Sequence, residues 1–402
     1  MRFVRLLVIA AGVGLALVVG RDGSLVWVVL RVLAIVACTH LTVVLVGREG
    51  RSGPVALIAF GGLACAVGGG ITAPYVEEVG WTVDSVVGTA TLLIGLALVA
   101  VGAVRLVRSY RRWGRLVSLA VVCVTTYFAL GIVSVAVTTT NVPRAPVGVE
   151  TPRDRGMVYE DVRFPATDGV ELAGWFLPPS SGDSVVLVSD ADTTRSSMLD
   201  HAEVVHAWGY GVLLFDPRGE GDSGGRAMAL GWDLDRDVEG AVDYVAARPE
   251  VGTGRIMVVG VQAGGAAALG AAALPRVCAV VAEGVAGRVL ADRVGVATRS
   301  GLFGVTRVPI ETSRYVLTDL ISSASVPPSA RAAVTRDGAA PALLIATARE
   351  PDEPRLAGYV RDAAPGRVET WVVPGAGSGG AIEARRPEWR TRVQTFFEGA
   401  RC

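Results

Sequence analysis

Apolar stretches long enough to cross a lipid bilayer fill the first third of this chain, and they limit what it can fold into more than any other feature. A helix needs roughly 17 to 25 residues to span a ~30 Å hydrocarbon core. Residues 3–19, 24–46, 54–75, 82–104 and 116–137 each approach or meet that length with few charges, so five spans are expected. With 51% apolar residues over 402, the chain is too apolar for an ordinary soluble protein. Arginines orient the spans: Arg2 and Arg5, then Arg48 and Arg51, then the cluster from Arg105 to Arg115 fall on one side if the spans alternate. An excess of positive charge marks the cytoplasmic side. The opposite loops are Arg21-Asp22-Gly23 and the acidic turn 75–81. An odd number of spans then puts everything after Thr140 outside the cytoplasm, with the chain integral to the cell membrane. A first span cleaved as a signal peptide is the alternative, but no A-x-A-like site follows it and the later topology would be unchanged.

Charge separates the two halves. Up to Thr140 there are eleven arginines and five acids, so in a chain of formal net charge zero the remainder is acidic, which argues against nucleic acid as a partner. There is no lysine and there are 50 glycines, a usage that points to GC-rich bacterial coding. Cys38, Cys65 and Cys123 lie in apolar runs, leaving Cys278 and Cys402. No disulfide framework or metal spacing is present. The run 277–282 reads as a central strand, so Cys278 is expected as a buried free thiol rather than as the partner of Cys402.

Arg31 and His40 fall inside the second span, where an ionisable side chain is a functional-site hypothesis by default. The plainer expectation is that Arg31 snorkels to the outer headgroups or pairs with Asp84. Gly61, Gly62, Gly68, Gly69 and Gly70 in the third span are expected to permit close helix packing rather than to line a pore. Residues 140–157, rich in Pro, Arg and Gly, read as a tether between a transmembrane domain (1–139) and a second domain (158–402).

From Val158 onward short β-rich runs alternate with helix-length segments, which predicts a mostly parallel sheet covered by helices on both faces. Strands are expected at 162–165, 170–177, 184–189, 211–215, 255–261, 277–282, 342–347 and 368–373. Several motifs occur in an order that resembles the α/β-hydrolase family, especially its bacterial peptidase- and esterase-like members. Phe215-Asp216-Pro217-Arg218-Gly219-Glu220-Gly221-Asp222-Ser223 resembles that family's D-x-R-G-x-G-x-S turn. Asp168-Gly169-Val170 to Trp175-Phe176-Leu177-Pro178 resembles its opening hairpin, and 256–265 sits where the family has its nucleophile elbow G-x-S-x-G. Together with the apolar spans, which predict an N-terminal all-α transmembrane bundle, the resemblance implies an α/β-hydrolase fold with an eight-stranded sheet and a lid at about 286–339. Within that lid, 307–320 has helical periodicity and 322–329 is rich in Ser and Pro. A cap over a ligand pocket and a surface docked on the membrane domain are both open readings of it.

The resemblance also locates a degenerate catalytic triad. Gly260-Val261-Gln262-Ala263-Gly264 keeps the glycines of the elbow but puts Gln262 at the nucleophile, and a carboxamide has no oxygen that can be deprotonated to attack a carbonyl. The loop from Val373 to Gly380 resembles the family's G-x-G-H turn with Ser378 in the histidine position. His201 and His206 belong to another helix, where five residues set them about 140° apart, so they form no metal pair. Asp352 matches the acid, although a role capping the following helix accounts for it better. The oxyanion loop reads Ser189-Asp190-Ala191-Asp192, placing carboxylates where negative charge would have to develop. A cation site there is possible on paper, but Asp192 or Thr194 capping the next helix is the favoured reading. Ser223 is expected to shape its turn.

The chain is therefore expected to be a membrane-anchored pseudo-hydrolase whose pocket binds a small ligand or a protein partner, with no cofactor or metal. The backbone N–H groups of Ala191 and Ala263 would still be able to hold a carbonyl or carboxylate, with Gln262 offering both a donor and an acceptor. Gln262 should show either a relaxed backbone or a hydrogen bond holding its amide. The alternatives are a serine hydrolase using Ser378 or Ser189 with an aspartate, and a transporter accessory or sensor working through the spans.

Overall fold

The computed structural model describes residues 2–19, 25–48, 50–110 and 112–402. It divides into two compact units, Met1–Pro143 with Thr312–Ser323, and Arg144–Glu311 with Ala324–Cys402.

In the first unit the helices are α1 (Arg2–Val19), α2 (Leu25–Val46), α3 (Ser52–Glu78), α4 (Val83–Arg108), α5 (Arg112–Ala129) and α6 (Val135–Thr140), the last two joined by a π turn, Leu130–Ser134. Among the described residues, four stretches are long and apolar enough to cross a membrane: α2, α3, α4 and the continuous run Trp113–Thr140. The expected fifth, α1, is described over 18 residues, at the lower end of the length a span needs. The expected Arg21-Asp22-Gly23 loop lies outside the described residues. Helices α3 and α4 meet along glycines: a Cβ on Gly68 would stand 2.5 Å from the Leu92 nitrogen, and one on Gly95 would stand 2.7 Å from the Cys65 nitrogen. Close backbone approach of this kind is what small residues permit in apolar helix pairs. Thr82 and Ser85 form a reciprocal capping box that starts α4.

The second unit is built on one eight-stranded sheet in the order β1-β2-β4-β3-β5-β6-β7-β8. Its strands are β1 (Glu160–Pro165), β2 (Glu171–Leu177), β3 (Ser184–Val188), β4 (Gly211–Phe215), β5 (Ile256–Val261), β6 (Val277–Glu283), β7 (Ala342–Thr347) and β8 (Val368–Val373). Only the β1–β2 and β2–β4 pairings are antiparallel. Successive side chains alternate between faces. Val186, Val258, Val280 and Leu344 therefore join one core with α8 (Leu234–Ala246), α9 (Ala263–Ala271), α12 (Ala330–Val334) and α13 (Asp352–Arg361). Val185, Met257, Val281 and Leu343 join the other with α7 (Leu199–His206) and α14 (Ala381–Gly399).

Two expectations change here. Cys278 and Cys402 are bridged, with Cα atoms 4.9 Å apart across 124 residues. Cys278 does lie buried on an interior strand, but the chain after α14 returns to it, a contact no local pattern reveals. Residues 144–157 are not a loose tether. Arg144 donates to the carbonyls of Gly221 (3.0 Å) and Ser223 (2.5 Å), and the Gly221 N–H returns a bond to Ala145.

The lid region holds α10 (Leu290–Arg299), α11 (Gly301–Ile321) and α12. Residues 312–323 pack within the helical unit. There Arg314 Nε donates to the Gly131 carbonyl in the π turn (3.2 Å), and Arg31 donates to the carbonyls of Leu320 (3.1 Å) and Ser322 (3.2 Å). Arg31 thus meets the negative end of the α11 dipole. His40 is exposed on α2.

Candidate functional site

The tip of β5 runs straight into α9 through Gln262, the sole non-glycine residue with positive φ among those described (φ 53°, ψ −113°). Small flanking residues make so sharp a turn feasible. A Cβ on Gly260 would stand 2.1 Å from the Gly264 oxygen, and one on Gly264 would stand 2.2 Å from the Ser189 oxygen. Strain of this kind costs of order 1–3 kcal/mol and persists only where the surroundings hold it. Here the Gln262 N–H is tied to the Glu283 carbonyl (2.7 Å), and its Nε2 donates to the Ser378 carbonyl (3.3 Å). The backbone is not relaxed; it is strained and held by a specific amide contact.

A cavity of about 260 Å³ opens at this turn, lined by Asp190, Leu230, Gln262, Ala263, Arg288 and Ser378 among others. Gln262 and Ser378 therefore meet, as the motif order implied, and the Ser378 Oγ points to the Gly284 carbonyl at 3.5 Å. Asp352 does not join them. It is the first residue of α13, with Pro351 rather than Asp352 at the cap position, and its carboxylate lies near Arg355 (3.3 Å), Arg293 (3.5 Å) and Arg307 (3.9 Å). Arg288 lines the cavity but is committed to Asp235 at 2.7 Å.

The oxyanion loop holds the main correction. The N–H groups of Ala191 and Ala263 do not face an empty pocket: Asp190 Oδ1 accepts from both, at 2.8 and 3.0 Å. The residue placed after β3 thus puts its own carboxylate at the N-terminus of α9, where the helix dipole favours an anion. Burial, reinforced by the nearby Asp192 carboxylate, nevertheless pushes the Asp190 pKa up to about 6. Asp192 is raised by burial as well. The expected cap does not form, since Thr194 begins the turn Arg195–Met198 without a side-chain hydrogen bond. Ser189 is fully buried and its hydroxyl donates to the Asp190 carbonyl.

The D-x-R-G turn proves to be a structural knot. Asp216 accepts from the Arg195 backbone (2.9 Å), the Arg195 guanidinium (2.7 Å) and the Asp222 N–H (2.9 Å). Arg218 holds Asp237 (2.6 Å) and Asp168 (2.8 Å), and its hydrogen bond lowers Asp168 to about 2. Ser223 accepts from the Ala173 N–H and donates to the Asp216 carbonyl, fixing the turn against β2. His201 is buried edge-on against Trp389, with Nε2 3.7 Å from Glu283, and it does not line the cavity. Sequence reasoning missed both Arg195 and Glu283, whose partners lie up to about a hundred residues away. Among the described residues no group of three His, Cys, Asp or Glu is placed to hold a metal ion.

No protein-family model matches the chain. It is similar to an uncharacterized protein of Mycobacterium tuberculosis, 36% identical over 115 residues (28% of this chain and 40% of that protein). It is also similar to the uncharacterized protein YfhR of Escherichia coli, 33% identical over 114 residues (27% and 39%). A likeness at lower identity, 28% over 120 residues (29% and 38%), is to the alpha/beta hydrolase domain-containing protein WAV2 of Arabidopsis thaliana. The matches thus span about two fifths of the length of these relatives. Among solved structures, an esterase of Pyrococcus furiosus superposes with a TM-score of 0.51 at 25% identity, covering 65% of this chain and 97% of the esterase. Strand order, the strained turn after β5 and these likenesses agree: the chain carries an α/β-hydrolase-like fold, preceded by a helical unit in which, among the described residues, four helices are able to span a membrane.

Proposed function

We propose that this protein is a catalytically silent α/β-hydrolase-like module, anchored in the cell membrane, whose pocket binds a small ligand or a partner outside the cytoplasm. One observation carries the reading: the Asp190 carboxylate occupies both N–H donors that would otherwise stabilise an acyl oxyanion. An oxyanion hole contributes to acyl transfer only when its donors face the developing charge, and a fixed anion there repels it. Gln262 at the turn supplies no nucleophile, and no histidine lines the cavity to act as base. Esterase activity is known of similar folds, and that likeness alone does not convey it. The Cys278–Cys402 bridge supports the extracytoplasmic placement, because disulfides persist in oxidising compartments. The arginine distribution supports the same orientation.

The test uses the full chain in detergent with a serine-reactive fluorophosphonate probe and a panel of short-chain p-nitrophenyl esters. Neither labelling nor turnover above background is expected. Labelling that disappears in Ser378→Ala, or turnover that disappears in it, overturns the proposal. For orientation, a membrane-impermeant maleimide applied to intact cells should label Val149→Cys and spare Arg108→Cys.

A further inference from the structure

Helix α11 is built inside out for a helix in water. At 100° per residue, Leu302, Val305, Pro309, Val316 and Leu320 fall within an arc of about 60°. Leu302, Val305, Val316 and Leu320 are between 49% and 79% exposed. The charged residues Arg307, Glu311 and Arg314 lie about 150° to 170° from the centre of that arc. Packing is on that side: Arg314 donates to the Gly131 carbonyl, and Tyr315 and Thr318 are buried. Asp319, at the margin of the stripe near the helix end, is the one exposed charge close to it. A soluble amphipathic helix does the reverse, burying its apolar stripe and hydrating its charges.

We propose that the exposed stripe of α11 lies against lipid acyl chains in the outer leaflet of the bilayer that holds α2 to α5. Continuity identifies the occupant. Residues 312–323 of this insertion belong to the helical unit, where Arg31 of α2 binds the last carbonyls of α11. The outward surface of that unit carries the same kind of side chain, including Leu25, Val29, Leu33 and Val36 on α2. Val316 and Leu320, uncharged and exposed in that same unit, share this lipid-facing character, while Arg314 turns inward to a protein carbonyl. Helix α11 is thus a lipid-facing element rather than a solvent-exposed cap. This rests on the reading of the helical unit as membrane-embedded.

The test places single nitroxide-labelled cysteines at Leu302, Val316 and Leu320 in the full chain. The background carries Cys38, Cys65 and Cys123 replaced by alanine and keeps the Cys278–Cys402 bridge, reconstituted in phosphatidylcholine–phosphatidylglycerol vesicles. Leu33→Cys on α2 is the lipid reference and Val149→Cys the water reference. Collision with oxygen should exceed collision with a nickel chelate at the three α11 sites to the degree seen at Leu33, several-fold above the ratio at Val149. With Leu33 lipid-like, α11 sites that resemble Val149 overturn the proposal alone, and sites closed to both reagents overturn it in favour of a protein partner. A water-like Leu33 overturns the membrane reading together with it.

Discussion

Replacing Asp190 with asparagine removes a charge while keeping an oxygen able to accept from Ala191 and Ala263, so it isolates what the buried carboxylate costs. Its pKa lies at about 6 instead of 3.8. A carboxyl group with a raised folded-state pKa holds its proton longer in the native state than in the unfolded one, so native stability falls as pH rises from about 4 to 6 and stays lower above that. Near 1.4 kcal/mol per unit, the shift amounts to roughly 3 kcal/mol at pH 8. For a unit of this size that is roughly 6 to 12 °C in the unfolding midpoint. Asp237 and Asp292 are also pushed up to about 6 by burial, but they affect parent and variant alike, so the difference between the two curves reports Asp190. Tryptophan fluorescence of the full chain in detergent, scanned from pH 4 to 8, should show Asp190→Asn melting higher at pH 8, with the gap closing towards pH 4. A gap that does not change with pH, or a variant that melts lower at pH 8, refutes the reasoning.

Reducing the Cys278–Cys402 bridge opens a loop of 124 residues, which by the chain-entropy relation removes about 5 kcal/mol. Thermal scans with and without reductant should differ by at least about 10 °C. Arg195→Met leaves Asp216, fully buried, without its guanidinium partner, a loss of roughly 3 to 5 kcal/mol that chemical denaturation would register. In the helical unit, Gly68→Leu drives a side chain into the α4 backbone and should abolish a monodisperse size-exclusion peak. Gly62→Ala, with nothing within 4 Å, should leave that peak unchanged.

The sheet was legible because its strands are runs of β-branched and aliphatic residues bounded by Gly, Pro and Asp, and all eight fall where those runs do. Gln262 was legible for a related reason, since glycines on both sides of a strand end announce a tight turn. Asp190 was half legible. Its place in the oxyanion loop could be read, but not its bond to Ala263, because that depends on β3 and β5 lying side by side across 73 residues. The disulfide failed the same way, because Cys278 looks like any buried thiol until α14 brings the chain back past it. Arg31 was expected to seek headgroups or Asp84, and its bonds to the carbonyls of Leu320 and Ser322, almost three hundred residues further on, could not be read from the sequence. Misreadings therefore cluster where a residue's partner is distant in sequence, and local pattern suffices where the partner is a neighbour.

The bridge between Cys278 and Cys402 has a mechanical consequence. It closes β7, β8, α10 to α14 and the connections between them into a covalent ring anchored on an interior strand. Tension applied between the membrane anchor and Cys402 would pass directly into β6, shear it against its neighbours and leave the ring slack. Roughly 400 Å of contour would be withheld from extension while the bond lasts. Reduction would release that length, so single-molecule pulling would distinguish the oxidised and reduced chains by how far each extends.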